Sequence, residues 1–266
     1  YVDSVQVFNS TTDKVLPDEN RMINGFTDYE ELTRTRRLIM RSYKLPGNRL
    51  RLLHPNENRG AVTIDEERDY HFRYVLEDNF GNRRTYQFIV KGKRQDIPEY
   101  KPEANEMLYW NRTNVIQKPG MELVVPRYYV YEDVPLRTDM RGDSSHIAFD
   151  YILDAGRTPI HSYCDLSIGL RHMPVADTTK YYIVQKAGKW RSSMGGKYAN
   201  GWIKTRVRSL GTFSVDVDTI APQITPIGQG GWRTSRNIRF RIKDMESGIG
   251  SYKLYIDGKF VLLGMI

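Results

Sequence analysis

Apolar residues recur at every second position in short runs along this chain, and that period is the tightest constraint on its fold. Phe213, Val215 and Val217 alternate with Thr212, Ser214 and Asp216. Asp218 and Thr219 then supply polar turn chemistry, and Pro222 holds Ala221 extended. The same period appears in Tyr70, Phe72, Tyr74 and Leu76, followed by the turn composition Asp78-Asn79-Phe80-Gly81-Asn82 and the return run Tyr86, Phe88 and Val90. That pattern predicts a hairpin with a loop of about five residues, and Gly81 is placed to take the positive φ such a loop needs. Half-buried strands of this kind must be covered by a second layer, so the pattern points to sandwiches rather than to a helical or α/β core.

The remaining runs extend that reading. Leu123 to Val125 and Tyr128 to Tyr131 read as an aromatic strand interrupted by Pro126. Ile147 to Leu153, Cys164 to Leu170, Tyr181 to Val184 and Tyr198 to Val207 read as further strands, with turns at Gly188 and Gly195-Gly196. After Pro222, Ile238, Phe240 and Ile242 alternate, then Tyr252, Leu254 and Ile256 run into Asp257-Gly258, a dipeptide that favours a type I′ hairpin turn. Helix signal is confined to Thr27-Asp28-Tyr29-Glu30, which has capping-box spacing with Thr27 as the cap, before Arg37 to Tyr43 returns to strand. The expected class is all-β, with serial Ig-like β-sandwich modules and one short helix. Residues 91 to 102, charged and carrying two prolines, read as a linker. The boundaries that follow are a sandwich over residues 1–97, truncated at its N-terminal side, a second over 98–218, and the first half of a third Ig-like module over 219–266.

Composition sets limits on function. The 266 residues include 18 Tyr and 9 Phe at 39% hydrophobic content, which suits small cores lined by aromatic strands. No run approaches the roughly 20 apolar residues of a membrane-spanning helix. The net charge of +8 is spread along the chain, densest at Arg34, Arg36, Arg37 and Arg41, and no nucleic-acid motif gathers it on one face. Cys164 is the single cysteine and lies in a run where every second residue is apolar. It is therefore expected as a small buried hydrophobe rather than a nucleophile.

The residue patterns that could carry chemistry also have ordinary structural roles. His146 and Asp150 have a spacing that opens some zinc sites, but both fall on one face of a predicted strand and no third ligand follows. His54, His71, His161 and His172 stand apart from them in sequence. Glu30-Glu31 sits at a helix start and Glu66-Glu67 leads into a strand. No catalytic, cofactor-binding or metal-binding residue is assigned. Arg141-Gly142-Asp143 and the triplets at Asn9 and Asn111 are matches too short to carry weight. Trp110, Trp190, Trp202 and Trp232 lie in turn-like contexts, where they either plug sandwich ends or form a stacking surface for glycan or a partner.

Longer stretches carry a family likeness. Ile23-Asn24-Gly25-Phe26-Thr27-Asp28-Tyr29, Pro46-Gly47-Asn48, Asn58-Arg59-Gly60, the run from Asp65 to Phe72, Trp110-Asn111, Lys118-Pro119-Gly120-Met121, Gly201-Trp202 and Tyr255-Ile256-Asp257-Gly258-Lys259 occur in order. Together they resemble the region downstream of the catalytic domain in lysostaphin/LytM-type zinc metallopeptidases (metallopeptidase family twenty-three) of the Gram-negative envelope. That resemblance implies a parent protein whose catalytic domain holds zinc through His-x-x-x-Asp and His-x-His motifs and cuts peptidoglycan cross-links. Neither motif transfers to His146 and Asp150, so zinc is expected only in an upstream catalytic domain and no cofactor in this segment. The implied role is a non-catalytic accessory or positioning region, with peptidoglycan or envelope proteins as partners, no nucleic acid, and a periplasmic or outer-membrane-associated location. Two alternatives remain open: a structural or docking subunit of an envelope assembly without peptidase activity, and a glycan-binding sandwich module. Asp3-Ser4-Val5, Asp177-Thr178-Thr179 and Asp218-Thr219-Ile220 resemble an O-glycosylation acceptor of such envelope proteins.

Overall fold

The computed structural model describes residues 1–262 and 264, apart from 12, 13, 100, 155 and 236. It is built almost entirely of β-structure with short helical turns, and its centre is a two-sheet sandwich. Before the sandwich come β1 (Phe8–Ser10), α1 (Tyr29–Thr35), β2 (Leu53–Pro55), β3 (Asp69–Glu77) and β4 (Arg83–Lys91). The sandwich comprises β5 (Glu106–Leu108), β6 (Asn114–Lys118), β7 (Met121–Val125), β8 (Val134–Arg141), β9 (Asp150–Asp154) and β10 (Cys164–Gly169). It continues with β11 (Tyr181–Ala187), β12 (Trp190–Ser193), β13 (Lys197–Ala199), β14 (Trp202–Val207) and β15 (Gly211–Val217). After it come β16 (Gln223–Ile227), the helical turn α2 (Trp232–Ser235), β17 (Arg239–Lys243), β18 (Leu254–Ile256) and β19 (Lys259–Val261).

One sheet of the sandwich has five strands in the order β13-β14-β10-β7-β6, the other six in the order β12-β11-β15-β9-β8-β5. Every second residue of the facing strands enters one core. Met121, Leu123, Val125, Leu166, Ile168 and Ile203 come from the first sheet, and Leu136, Tyr151, Leu153, Ile183, Phe213 and Val215 from the second. Each large side chain sequestered this way contributes about 1.5–3 kcal/mol before the entropy of ordering is subtracted. The run from Gly211 to Val217 is an interior strand here, paired on both sides by β11 and β9. Asn200-Gly201, both at positive φ, turn β13 into β14. That is the two-residue hairpin chemistry the dipeptide favours.

The segment before the sandwich differs from the expected arrangement. Over residues 1–97 the described strands form two separate two-stranded ladders, β1-β2 and β3-β4, rather than two facing sheets. The alternation at Tyr70 to Val90 does specify the hairpin, with Gly81 at φ 83, but these residues supply no second sheet to cover it. A small separate core forms instead from Met22, Phe26, Leu45, Leu50, Leu53 and Tyr131. The helix is capped one residue later than the spacing implied. The Asp28 carboxylate accepts from the Glu31 amide at 3.0 Å, while buried Thr27 donates to the Asn24 carbonyl. Residues 37 to 43 make only a bridge between Met40 and Thr27. Residues 126 to 131 leave the sheet altogether, because Tyr128 adopts φ 68.

After Val217 the ladders β16-β17 and β18-β19 form, with Asp257-Gly258 at positive φ as the second hairpin's turn. Neither ladder buries a side chain fully among the described residues. The unit is joined to the sandwich through Asp218, which is itself buried. Its carboxylate accepts from the Ile220 amide at 3.0 Å, the Ser247 amide at 3.1 Å and the Ser247 hydroxyl. Asp244 in turn accepts from the Glu246 and Gly248 amides, which shapes the loop that presents Ser247.

Candidate binding surface at the sandwich end

Tyr109, Trp110, Arg112, Arg127 and Tyr128 meet where the β5–β6 turn approaches the segment after β7. Buried Asn114 fixes that turn. Its side chain accepts from the Tyr109 amide at 2.8 Å and donates to the carbonyls of Tyr109 and Arg112. The Tyr128 amide donates to the Trp110 carbonyl at 2.9 Å, and the two rings lie 6.0 Å apart. Holding a bulky residue in the left-handed region costs of order 1–3 kcal/mol, a cost usually found where the displayed side chain has a use.

Three guanidinium groups surround these rings. Arg49 and Arg127 lie 4.8 and 4.5 Å from the centre of the Tyr128 ring, and Arg112 lies 3.8 Å from that of Tyr109. Among the described residues none of the three has a carboxylate within ion-pairing distance. A shallow groove of about 720 Å³ runs beside Tyr109 and Arg112, which line it together with Asn105, Glu106 and Met107. Such a surface offers aromatic edges and planar, always-charged donors to an anionic ligand.

Arg49 belongs to the segment before the sandwich, so the surface depends on how that segment is seated. Tyr131 seats it. Its ring is almost wholly buried in the small N-terminal core, and its hydroxyl donates to the Arg21 carbonyl at 2.7 Å. With its proton so committed, the oxygen accepts from His161 Nδ1 at 3.1 Å, which assigns the proton of neutral His161 to that nitrogen. Burial raises the Tyr131 phenol well above its ordinary range and lowers the His161 imidazole below its own, assisted by the charges of Arg49 and Arg21. Gly25 and Gly47 allow the close approach. A Cβ on Gly25 would stand 2.7 Å from the Tyr131 ring, and one on Gly47 2.9 Å from the Tyr131 carbonyl oxygen.

The histidines, carboxylates and cysteine that stand out in the sequence have ordinary partners. His146 lies before β9, 2.9 Å from Asp143, while Asp150 accepts from Lys186 at 2.6 Å, so the two do not converge. The buried face of β9 is set by Tyr151 and Leu153. Among the described residues no group of three or more His, Cys, Asp or Glu is placed to share a metal ion. Cys164 faces the core, where burial and then the neighbouring Asp165 push its thiol up to about 12. Arg141 and Asp143 are held separately, by Asp139 and by Ser145 with His146. Asp177 and Asp218 each accept a backbone amide two residues on, in a turn, and Asp3 accepts the His71 amide of β3. Trp110 packs on the core, Trp232 meets Phe240 at 5.3 Å, and Trp190, the first residue of β12, is 81% exposed. The guanidinium cluster is not legible in the sequence because Arg49 and Arg127 lie far apart in the chain. The one local sign was the pairing of arginine with tyrosine at Arg127-Tyr128.

Residues 105–218, less than half of the chain, match the Zu5-like domain family. Those limits coincide with the sandwich, from the residue before β5 to the residue after β15. No curated protein matches the chain, and no solved structure does. No helix among the described residues is long and apolar enough to cross a membrane.

Proposed function

We propose that this chain is a non-catalytic positioning region of a peptidoglycan-directed protein of the metallopeptidase family, working in the Gram-negative envelope. The observation that carries this reading is the set of guanidiniums of Arg49, Arg112 and Arg127, without an ion pair among the described residues, around Tyr109, Trp110 and Tyr128. Peptidoglycan presents sugar rings beside carboxylates, and this surface has groups suited to both. The family resemblance supports the same direction. Several of the residues that carry it, among them Gly25, Phe26, Gly47 and Asn48, pack or hydrogen-bond the segment that brings Arg49 to the surface. A glycan-binding module is the nearest second reading, favoured by the Trp110–Tyr128 pair.

Co-sedimentation of the whole chain with purified peptidoglycan sacculi tests this. The chain is expected to pellet with sacculi, to be released as salt is raised, and to liberate no soluble muropeptides when zinc is supplied. Tyr128→Gly, which removes the ring and accepts the φ of 68, is expected to weaken pelleting while the fold is retained. Failure to pellet would overturn the peptidoglycan assignment. Muropeptide release would overturn the non-catalytic one.

A further inference from the structure

The hairpin β3-β4 presents a strand edge that nothing in the described structure pairs and an apolar face that is covered only at its base. All nine residues of β3 pair with β4. The outer edge of β3 is engaged at its base by the start of the chain. The Arg73 amide donates to the Tyr1 carbonyl at 3.0 Å, and the Asp3 amide to the His71 carbonyl at 3.0 Å. Because His71 and Arg73 point their backbone groups away from β4, antiparallel alternation turns those of Arg83, Thr85, Gln87, Ile89 and Lys91 outward on the far side. Among the described residues these outward groups have no backbone partner.

Side chains make that edge specific. On one face Phe72, Tyr74, Tyr86 and Phe88 form a stack, with Phe72 and Phe88 5.1 Å apart and Tyr74 and Phe88 6.2 Å apart. Only the base of the stack is covered, and Tyr86 remains 64% exposed. Between Arg83 and Arg94 the chain carries five basic residues and no acid. Of these, among the described residues, only Arg83 is in an ion pair, with Glu77 at 2.6 Å. The cations bracket the stack, with Arg84 near the hairpin tip and Lys91 and Lys93 at its base.

We propose that the β4 edge accepts an extended acidic segment of a partner protein as an added antiparallel strand. Its main chain pairs with Arg83 to Lys91, its apolar side chains continue the Phe88–Tyr86 face, and its carboxylates meet Arg84 and Lys91. This is strand addition, in which backbone bonds supply affinity and alternate side chains supply selection. Charge decides between occupants. A second copy pairing antiparallel through the same edge about Gln87 would set Arg83 opposite Lys91 at both ends, with no acid in either row, and like charges directly opposite destabilise a ladder.

The probe is a fluorescent nonapeptide, Glu-Val-Thr-Val-Thr-Val-Thr-Glu-Glu, titrated into the full chain and followed by anisotropy. Saturable binding that weakens with salt is expected. A version with each Glu replaced by Lys should bind at least about tenfold more weakly. A version N-methylated at the amides facing β4 should not bind. Gln87→Pro, which removes an outward amide while leaving the inward β3 bonds intact, should abolish binding. Arg84→Glu with Lys91→Glu should lower affinity for the Glu peptide and raise it for the Lys peptide, and this pair serves if the proline disturbs the hairpin. The proposal is overturned if the Glu peptide does not saturate, if the Lys or methylated peptide binds equally, or if sedimentation shows dimers that Gln87→Pro dissociates. The first of these outcomes would make the basic row a guard against strand pairing.

Discussion

Tyr131 links the N-terminal segment to the sandwich, and its removal should separate the two. The N-terminal core holds six buried residues, of which Tyr131 is one and the only one donated by the sandwich. At roughly 1.5–3 kcal/mol each, that core gains on the order of 10–20 kcal/mol of gross burial, from which ordering entropy must be subtracted. Truncating a buried aromatic to alanine costs about 3–5 kcal/mol, a large share of what survives. Tyr131→Ala is therefore expected to uncouple residues 1–97, giving a low-denaturant transition ahead of that of the sandwich. Tyr131→Phe keeps the ring but leaves the Arg21 carbonyl without its donor and should cost about 1–3 kcal/mol. Gly25→Ala drives a Cβ into the ring and should cost about 1–3 kcal/mol, but far less in the Tyr131→Ala background where the ring is gone. Urea unfolding followed by fluorescence and by limited proteolysis reads all four proteins. If Tyr131→Ala unfolds at the wild-type midpoint, or if the Gly25→Ala cost is unchanged without the ring, Tyr131 does not lock the two units together.

Other expectations rest on single groups. His161 is held below its ordinary pKa, so the unfolded chain takes up the proton first; stability of the N-terminal seat should be full above about pH 6.5 and fall below it, with the slope lost in His161→Gln. Thermal melts between pH 7.5 and 5 check this. Cys164 should fail to react with a thiol reagent in the native chain at pH 8 and react fully once the chain is unfolded, given a thiol pushed up to about 12. Asn114→Ala leaves the Tyr109 and Arg112 carbonyls unpaired and should destabilise the sandwich by about 1–3 kcal/mol while weakening any ligand held by Arg112.

Strands with one buried and one polar face could be read from the sequence, because their period is local. The β3-β4 hairpin, β10, β11 and β15 fall close to the runs that mark them. Elements decided by distant contacts could not. Tyr128 to Tyr131 has strand composition, yet Tyr128 turns back to bond Trp110 and Tyr131 is drawn into another core. The capping shift from Thr27 to Asp28 has the same origin, since Thr27 is buried against the preceding turn and its hydroxyl is used there. Tyr198 to Val207, expected as one strand, is instead broken into the β13–β14 hairpin by Asn200-Gly201, a local turn signal that the apolar period alone passes over. The guanidinium cluster needed the fold, because Arg49 reaches Tyr128 only through the close approach that Gly47 permits.

The two joints of the sandwich differ in chemistry, and that difference predicts how the chain comes apart. The N-terminal joint is an aromatic ring in an apolar core, whereas the C-terminal one is the Asp218 carboxylate holding Ser247. The hydrogen bond from Ser247 is the chief cause that lowers the Asp218 pKa, so this joint is fully made above the unfolded value near 3.8 and is lost as pH falls through the folded one. Residues 219–262, which bury no side chain fully of their own among those described, should then become protease-sensitive while the sandwich stays folded. Asp218→Ala should produce the same digestion pattern at neutral pH. Were the ladders beyond Asp218 protected in that variant, their order would have to come from contacts among Trp232, Phe240 and their neighbours, and the carboxylate would be a turn residue only.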